Sequence, residues 1–192
     1  GALYDSGQWS PMPIELRRSL LKRILPDIPE FMRVSRIGRQ TKEEEVEGNR
    51  IRTTNVEEEF GCRCIRCREP GPGDPQTDGF AIREMAVTDK ELFFEARPLV
   101  GGGARATCLG VLRLHLEDSI ATVRELHVYG EETRPCHPGR HQHRGVGRAL
   151  MAFAESRARE RGFPVMRVAS GAGVRQYYVK LGYSGAPMMC KS

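Results

Sequence analysis

The sequence predicts an α+β domain with a mixed central sheet and flanking helices, preceded by a smaller N-terminal region. Three observations predict this architecture. Segments with the alternation typical of strands fill the stretch from Phe80 to Tyr129. An amphipathic helix, a further strand and a short helix follow. Residues 71–75 read Gly-Pro-Gly-Asp-Pro, which is a linker composition, and we place the domain boundary between residues 76 and 77.

The N-terminal region, residues 1–76, is predicted to contain one clear helix. Ile14 to Leu25 carries an apolar stripe, begins after Pro13 and ends at Pro26. We predict a loop over residues 3–12 and a short strand over Phe31 to Val34. Residues 41–59 are interpreted as a solvated helix or loop, because their charged positions cluster together. The basic side of the helix consists of Arg17, Arg18, Lys22 and Arg23.

The C-terminal region, residues 77–192, is predicted to contain five strands and two helices. The first two strands form a hairpin, and a glycine loop over residues 101–103 precedes the next two. The predicted strands cover Phe80 to Met85, Leu92 to Ala96, Leu109 to Leu116, Ala121 to Tyr129 and Val165 to Ala169. A last helix is expected from about Val174 to Leu181, and the residues after it are interpreted as a tail.

Composition favours a basic protein with an anionic partner. The 192 residues include 30 Lys and Arg and 25 Asp and Glu, which give a net charge of +5. A phosphate-bearing cofactor such as CoA, or a nucleic acid, fits this balance. We expect no membrane association, because no apolar run has membrane-spanning length. The polar start predicts no signal peptide and a cytoplasmic location, and Gly1-Ala2 in place of an initiator methionine suggests a cloning scar or an excised fragment.

Three of the six cysteines form a Cys62-x-Cys64-x-x-Cys67 pattern. Thiolates so close together suit a tetrahedral zinc ion better than disulfides, and they fit a reducing cytosol. The alternative is three reduced cysteines without metal, and no fourth cysteine has iron–sulfur cluster spacing. The fourth ligand stays open between Cys108, Cys136, Cys190 and a histidine. The intervening arginines either contact nucleic-acid phosphates or are solvated, and these are Arg63, Arg66 and Arg68.

The stretch Gln142-His143-Arg144-Gly145-Val146-Gly147-Arg148 opens the long helix. Two glycines let a ligand approach the backbone, and the first N–H groups of a helix form an anion site. We therefore predict a phosphate site, although a glycine turn before a core helix is the alternative. The predicted core stripe of this helix contains Val146, Leu150, Phe153, Ala154 and Ala158. The residues assigned to its other faces are Arg148, Glu155, Arg157 and Arg159.

This Gln-x-x-Gly-x-Gly pattern after a strand resembles the acetyl-CoA pyrophosphate loop of GNAT acetyltransferases. Five motifs, taken in chain order, make the resemblance more specific. Together with the cysteine motif, these five motifs resemble the C-terminal half of the Elongator catalytic subunits, the tRNA uridine-34 acetyltransferases, from about Ser6 onward. The motifs are Glu125–Gly130, Gln142–Gly145, Ser170-Gly171, Arg175–Tyr178 and Lys180–Tyr183.

The resemblance implies a GNAT fold for residues 77–192, and a radical S-adenosylmethionine barrel remnant with a zinc-bearing linker for residues 1–76. It implies acetyl-CoA as cofactor and tRNA as partner, with an acetyl unit supplied for carboxymethyl-type modification of wobble uridine-34. Other Elongator subunits or a homodimer are further expected partners. The family's Cys-x-x-x-Cys-x-x-Cys motif is missing from this sequence. The iron–sulfur cluster and S-adenosylmethionine are therefore expected only in the full-length enzyme.

The resemblance also assigns roles to the strand before the long helix. In GNAT enzymes this strand separates from its neighbour, and its backbone binds the pantetheine amides. The residues that inherit this role are Glu125, Leu126, His127 and Val128. Glu125 is a candidate general base and His127 a second one, since a carboxylate here can take a proton from the nucleophile. The alternative is that Glu125 pairs with an arginine.

Two neighbouring tyrosines, Tyr177 and Tyr178, lie on the last predicted helix. Successive helical residues point about 100° apart, so the two side chains cannot share one face. The family match favours Tyr178 as the cofactor contact and as the group that protonates the departing CoA thiolate. Tyr177 is retained as a cofactor-binding candidate, and simple packing is the alternative for both. Tyr183 is expected in the core.

Two other functions remain open from the sequence. One is a stand-alone N-acetyltransferase that acts on amines or protein lysines. The other is a catalytically silent tRNA-binding module that holds acetyl-CoA only as a structural ligand. Analysis of the reaction products separates these alternatives from the tRNA-modifying enzyme.

Overall fold

The computed structural model describes residues 2–35, 37, 60–71, 79–99, 107–130 and 145–192. The chain divides into two compact units, Gly1–Arg68 and Glu69–Ser192. The boundary predicted between residues 76 and 77 lies outside the described residues. The same holds for the glycine loop and for the segment over residues 41–59.

The N-terminal unit contains, in its described part, three helices and one 3₁₀ turn. Helix α1 spans Ala2–Asp5, α2 spans Ile14–Ile24 and α3 spans Ile65–Arg68, with the 3₁₀ turn at Leu25–Asp27. The predicted helix after Pro13 is therefore confirmed, but the loop predicted over residues 3–12 contains a helical turn. This unit packs around Leu25 and two buried cysteines, Cys62 and Cys64.

The strand predicted over Phe31 to Val34 is wrong. These residues form a turn and an extended connection. The backbone N–H of Met32 donates to the Pro29 carbonyl at 3.0 Å, and the Met32 carbonyl accepts from Ile65 N–H at 2.8 Å. The apolar and β-branched composition favoured a strand, but the backbone groups are used by a turn and by the start of α3.

The C-terminal unit is built on a six-stranded sheet in the order β1-β2-β3-β4-β5-β6. Only the pairing of β4 with β5 is parallel, so the sheet is mixed, as predicted. The strands are β1 Phe80–Ala86, β2 Glu91–Pro98, β3 Gly110–Glu117, β4 Ile120–Val128, β5 Val165–Ala169 and β6 Met188–Lys191. Strand β6 lies in the predicted tail, because four residues without alternation give no strand signal before they pair with β5.

Helix α4, Val146–Glu160, covers one face of the sheet, and α5, Arg175–Lys180, follows β5. The core contains Leu112 and Leu114 from β3 together with Leu150 and Met151 from α4. The helix approaches closely at Gly110. A Cβ there would lie 2.8 Å from the His127 carbonyl oxygen and 3.1 Å from a Val146 methyl carbon.

One helical position differs from the prediction. Glu155 is buried on α4, although the sequence assigned it to an outer face. It lies four residues after Met151 and three before Ala158, so helical spacing places it on the buried side. The prediction assigned Glu155 to an outer face because a carboxylate is rarely buried unless it is paired, and its partners could not be identified from the sequence.

No helix among the described residues is both long and apolar enough to cross a lipid bilayer.

Candidate active site

The candidate site begins where two central strands separate. Strand β4 pairs with β5 only from Ile120 to Val123, opposite Val165 to Val168. From Glu125 to Val128, β4 pairs with β3 on one side and, within the described part of the chain, with no strand on the other. The separation that the resemblance implied is therefore present. Among the described residues, this edge of β4 has no neighbouring strand beyond Val123.

An irregularity in β4 lies at the point of separation. Glu125 faces Arg113 across the β3–β4 pair, but Leu114 faces Val123, so Arg124 is an extra residue in the ladder. Such a β-bulge bends the strand and increases its twist. The bulge therefore helps to turn the second half of β4 away from β5.

Helix α4 begins beside the separated strand. Gly145 precedes it with φ of 85°, a left-handed conformation that favours glycine, and no side chain caps the helix. The first intrahelical bond runs from Ala149 N–H to the Gly145 carbonyl at 2.9 Å. The N–H groups of residues 146–148 have no acceptor within the helix. Unpaired N–H groups at a helix start are suited to binding an anion. The other predicted phosphate-site residues, Gln142, His143 and Arg144, lie outside the described residues.

Three elements meet at Gly147. A Cβ built on this glycine would lie 3.0 Å from the Tyr177 hydroxyl oxygen and 3.4 Å from a Val128 methyl carbon. The end of β4, the start of α4 and the middle of α5 therefore meet at one point, and we name this junction the candidate cleft. The sequence alone did not predict this proximity, because Gly147 and Tyr177 are thirty positions apart in the chain.

The two tyrosines of α5 occupy different environments. Tyr177 is 36% exposed, whereas Tyr178 is 7% exposed and belongs to the core cluster. Burial, and then the neighbouring Tyr178, raises the pKa of Tyr177 to about 12, although Arg148 opposes the shift. Tyr177 therefore presents a protonated hydroxyl at the helix start. Burial also raises the pKa of Tyr178.

The prediction that the two rings cannot share a face agrees with this geometry. Their planes lie 77° apart with ring centroids 5.1 Å apart. Tyr178 contacts Tyr183 on its other side, with centroids 6.0 Å apart. Tyr183 is buried, as the sequence predicted. The role of Tyr178 against the thioester stays a prediction, and it is the Tyr177 hydroxyl that lies beside the helix start.

The candidate bases on β4 each have a partner. Glu125 lies 3.6 Å from the Arg113 guanidinium, which is the arginine pairing that the sequence left open. Arg113 also lies over the Phe93 ring at 5.3 Å. The exposed His127 ring contacts Tyr129, with centroids 4.6 Å apart. The structure thus holds both groups on the sheet, and their catalytic role stays a prediction.

A second cluster lies in the N-terminal unit. The sulfur atoms of Cys62, Cys64 and Cys67 all lie within 4.8 Å of one another, and the Cys64 and Cys67 sulfurs are 3.6 Å apart. A tetrahedral zinc ion with bonds of about 2.3 Å requires sulfur separations of about 3.8 Å. The three thiols therefore fit zinc. Among the described residues no fourth cysteine, histidine or carboxylate joins this cluster.

The thiols of this cluster differ in acidity. Burial raises the pKa of Cys64, but hydrogen bonds from the backbone of Val34 and Cys67, and from the other thiols, reverse the shift and lower it overall. Burial is the main reason that the pKa of Cys62 and Cys67 is raised. Cys64 is thus the thiol most easily present as thiolate.

The arginines between the cysteines have separate roles. Arg68 is only 3% exposed and donates to the Glu30 carbonyl at 2.7 Å and the Arg63 carbonyl at 2.8 Å. Neither interpretation of Arg68 from the sequence holds, because a buried guanidinium is not solvated and does not reach a phosphate. Arg66 donates to the Ser35 carbonyl at 2.6 Å, and Arg63 is exposed.

Comparison with known proteins identifies the family model and the relatives that this chain matches. Residues 107–183 match the family model described as "Acetyltransferase (GNAT) family". The chain is 33% identical to the tRNA uridine(34) acetyltransferase of Dehalococcoides mccartyi, over 98% of this chain and 46% of that protein. It is 31% identical to Elongator complex protein 3 of Drosophila melanogaster, over 99% of this chain and 39% of that protein.

A third relative is the tRNA uridine(34) acetyltransferase of Methanocaldococcus infernus, with 29% identity over 94% of this chain and 39% of that protein. The chain spans less than half the length of all three relatives. These similarities confirm the resemblance and the GNAT fold that the motifs predicted.

Proposed function

This chain carries a GNAT acetyltransferase domain and is a relative of the tRNA uridine(34) acetyltransferases along nearly its whole length, and on that premise we propose its activity. It supplies an acetyl unit, with acetyl-CoA as donor, for a carboxymethyl-type modification of uridine-34 in tRNA. The observation that carries the proposal is the cleft at Gly147. There an open strand edge, a helix start and a tyrosine hydroxyl converge.

Each part of the cleft supplies one contact to acetyl-CoA. The open edge of β4, Glu125 to Val128, binds the pantetheine amides through its backbone. The N–H groups of residues 146–148 bind the pyrophosphate, with help from the Arg148 charge. The Tyr177 hydroxyl adds a neutral donor beside Gly147, where the missing side chain lets the hydroxyl lie close to the start of α4.

Two roles at the reacting end follow from the family. Tyr178 protonates or hydrogen-bonds the departing CoA thiolate, and Glu125, with His127 as second candidate, takes a proton when the nucleophile needs one. The resemblance implies that the radical half of the reaction depends on an iron–sulfur cluster and S-adenosylmethionine, whose Cys-x-x-x-Cys-x-x-Cys motif this sequence does not contain. The residues described above are proposed for the acetyl-donating half.

Acetyl-CoA turnover with and without tRNA tests the proposal. We expect acetyl-CoA to bind the purified chain and CoA release to increase when tRNA is added. Mass spectrometry of the products separates the alternatives. Stable acetylation of lysine side chains supports a stand-alone N-acetyltransferase, and binding without transfer or hydrolysis supports a silent tRNA-binding module.

We also propose that the three thiols of Cys62, Cys64 and Cys67 hold a structural zinc ion. The support is their mutual distance and the soft thiolate donors that zinc prefers. The ion would stabilise the fold of the N-terminal unit and would have no part in acetyl chemistry. Elemental analysis of purified protein tests this, and free thiols with no metal contradict it.

The remaining proposals concern partners and location. Helix α2 contributes to tRNA binding through its exposed basic residues, Lys22 and Arg23. A reducing cytoplasm suits three neighbouring thiols, and fractionation of cells expressing the natural protein tests that location.

Light scattering after size-exclusion chromatography distinguishes a monomer from a homodimer, and co-purification tests for other Elongator subunits.

A further inference from the structure

We propose that Glu155, a buried carboxylate on α4, is a positioning residue that holds the two tyrosines of α5 against the cofactor cleft. The proposal rests on the proposed acetyl-CoA site. It adds a residue that neither the motifs nor the relatives' names assign. Glu155 does not touch the cleft itself, so its effect is transmitted through the side chains that it binds.

The carboxylate of Glu155 has two strong partners. One oxygen accepts a hydrogen bond from the Tyr183 hydroxyl at 3.0 Å, and the other accepts from the Lys191 ammonium at 2.7 Å. Arg159 lies 4.0 Å from the second oxygen. A buried carboxylate is retained only when it is paired and hydrogen-bonded, and these contacts satisfy that condition.

These contacts join three elements. Lys191 belongs to β6, Tyr183 follows α5, and Glu155 is on α4. Tyr183 is held a second time by the end of α5. Its N–H donates to the Tyr178 carbonyl at 3.0 Å, and the Gly182 N–H donates to the Val179 carbonyl at 2.9 Å.

This pair of bonds is a Schellman motif, with Gly182 in the left-handed conformation at φ of 90°. The motif brings the residue after the glycine back against the last turn of the helix. The Tyr183 ring accordingly packs on Tyr178, and Tyr178 packs on Tyr177. The position of Tyr183 thus determines where α5 can lie.

The series of contacts begins and ends on helix α4. It runs from Glu155 through Tyr183, Tyr178 and Tyr177 to Gly147, where the Tyr177 hydroxyl lies 3.0 Å from the point that a Cβ would occupy. Gly147 and Glu155 are separated by eight residues, about 12 Å along a helix. Both ends of the aromatic stack are therefore fixed to one rigid element. A shift of Tyr183 changes the distance between Tyr177 and the helix start.

A binding cycle tests this proposal. Isothermal titration with acetyl-CoA is performed on the wild-type chain, Glu155→Gln, Tyr177→Ala and the double variant. We expect Glu155→Gln to weaken binding about fivefold, within the range of effects transmitted between coupled sites. The loss should shrink to less than about twofold in the Tyr177→Ala background, because residues that act through one another are not additive.

Two further variants control the cycle. Glu160→Gln removes an exposed carboxylate from the same helix, and we expect wild-type affinity. Tyr183→Phe keeps the ring and removes only the hydroxyl that donates to Glu155. It serves as the milder change if Glu155→Gln does not fold, and it should show the same dependence on Tyr177. Circular dichroism melting is measured for every variant.

The outcomes separate the inference from the proposed function. Wild-type affinity in both Glu155→Gln and Tyr183→Phe overturns the inference, and so does an equal loss in the presence and absence of the Tyr177 ring. The second result would mean that Glu155 only stabilises the fold. A wild-type chain that does not bind acetyl-CoA overturns the proposed function, and the inference with it.

Discussion

The cysteine cluster and the candidate cleft at Gly147 are built in opposite ways. The cluster takes three sulfur atoms from six consecutive residues, and the segment that leads into the short helix α3, together with the helix, brings them within 4.8 Å. The cleft takes single groups from β4, α4 and α5, which come together only when the sheet has formed. The cluster is a local structure, whereas the cleft is a product of the whole fold.

This difference predicts how each site responds to mutation. Loss of a thiol should destabilise the N-terminal unit and leave the acetyl-CoA cleft intact. Changes at Gly147 and Tyr177 should instead lower affinity or rate with little change in stability, because neither residue belongs to the buried core. The predictions below test this separation, beginning with the largest effect.

Removal of the metal should have the largest effect. Structural zinc contributes on the order of 10 kcal/mol of binding free energy in zinc-finger peptides. We expect about one zinc per chain in purified protein. Cys64→Ser, which removes the thiol most easily present as thiolate, should lose the metal and lower the melting temperature of the N-terminal unit by at least about 10 °C. Elemental analysis and calorimetric scanning measure both effects.

The same experiment identifies the fourth ligand. Cys108→Ser, Cys136→Ser and Cys190→Ser are prepared singly. If one of these variants loses zinc, the cysteine that it replaces is the fourth ligand. Retention of zinc by all three points to a histidine or a water molecule. If Cys64→Ser also abolishes acetyl-CoA binding in a folded C-terminal unit, the two sites are not independent, and the comparison fails.

Gly147→Glu should have the next largest effect. Its side chain would begin 3.0 Å from the Tyr177 hydroxyl and bring a negative charge to the pyrophosphate site. We expect acetyl-CoA affinity to fall at least about 100-fold, about 2.7 kcal/mol. Gly173→Glu is the matched control, because a Cβ at Gly173 has no atom within 4 Å. Equal affinities of the two variants by calorimetry would remove Gly147 from the site.

The two tyrosines should separate rate from affinity. If the Tyr178 hydroxyl meets the departing thiolate, Tyr178→Phe slows acetyl-CoA consumption at least about tenfold, since one general acid is worth about 10²-fold or more. Tyr177→Phe removes a neutral donor worth about 1 kcal/mol, so we expect about a fivefold rise in Kd with a smaller effect on rate. Steady-state kinetics and calorimetry distinguish the two. Equal small effects in well-folded variants would place the thioester elsewhere.

The smallest effect should come from the basic face of α2. Lys22 and Arg23 are exposed, whereas Arg17 and Arg18 are half-buried and Arg18 lies over the Phe60 ring at 5.5 Å. We expect Lys22→Gln with Arg23→Gln to flatten the salt dependence of tRNA binding by about two units of slope, one for each lost phosphate contact. Filter binding at several salt concentrations measures this. Glu15→Gln on the same helix should not flatten the slope.

The sequence predicted those parts of the molecule that depend on neighbouring residues. The spacing of the cysteines predicted their proximity, and alternation predicted strands such as Leu109 to Leu116, found at Gly110–Glu117. The sequence also predicted that the glycine-containing stretch opens the long helix, which is found to begin at Val146. Each of these features is encoded within about ten residues.

The remainder depends on contacts between distant residues. Strand β6 exists because β5 pairs with it, and Glu155 is buried because Tyr183 and Lys191 satisfy it. The rotation of α5, a helix of only six residues, decides which tyrosine approaches Gly147. Helical spacing required that the rings diverge, but only packing of Tyr178 on Tyr183 orients the pair.

The separation of β4 from β5 has a consequence for solubility. An open strand edge is the surface on which another chain can add a strand and begin aggregation. Here the edge lies inside the sheet, is only five residues long, and carries charged or polar side chains at Arg124, Glu125 and His127. The bulge at Arg124 also disturbs the register that an incoming strand would need. The charged side chains and the bulge thus protect this edge from a second polypeptide, although no strand of the described residues covers it.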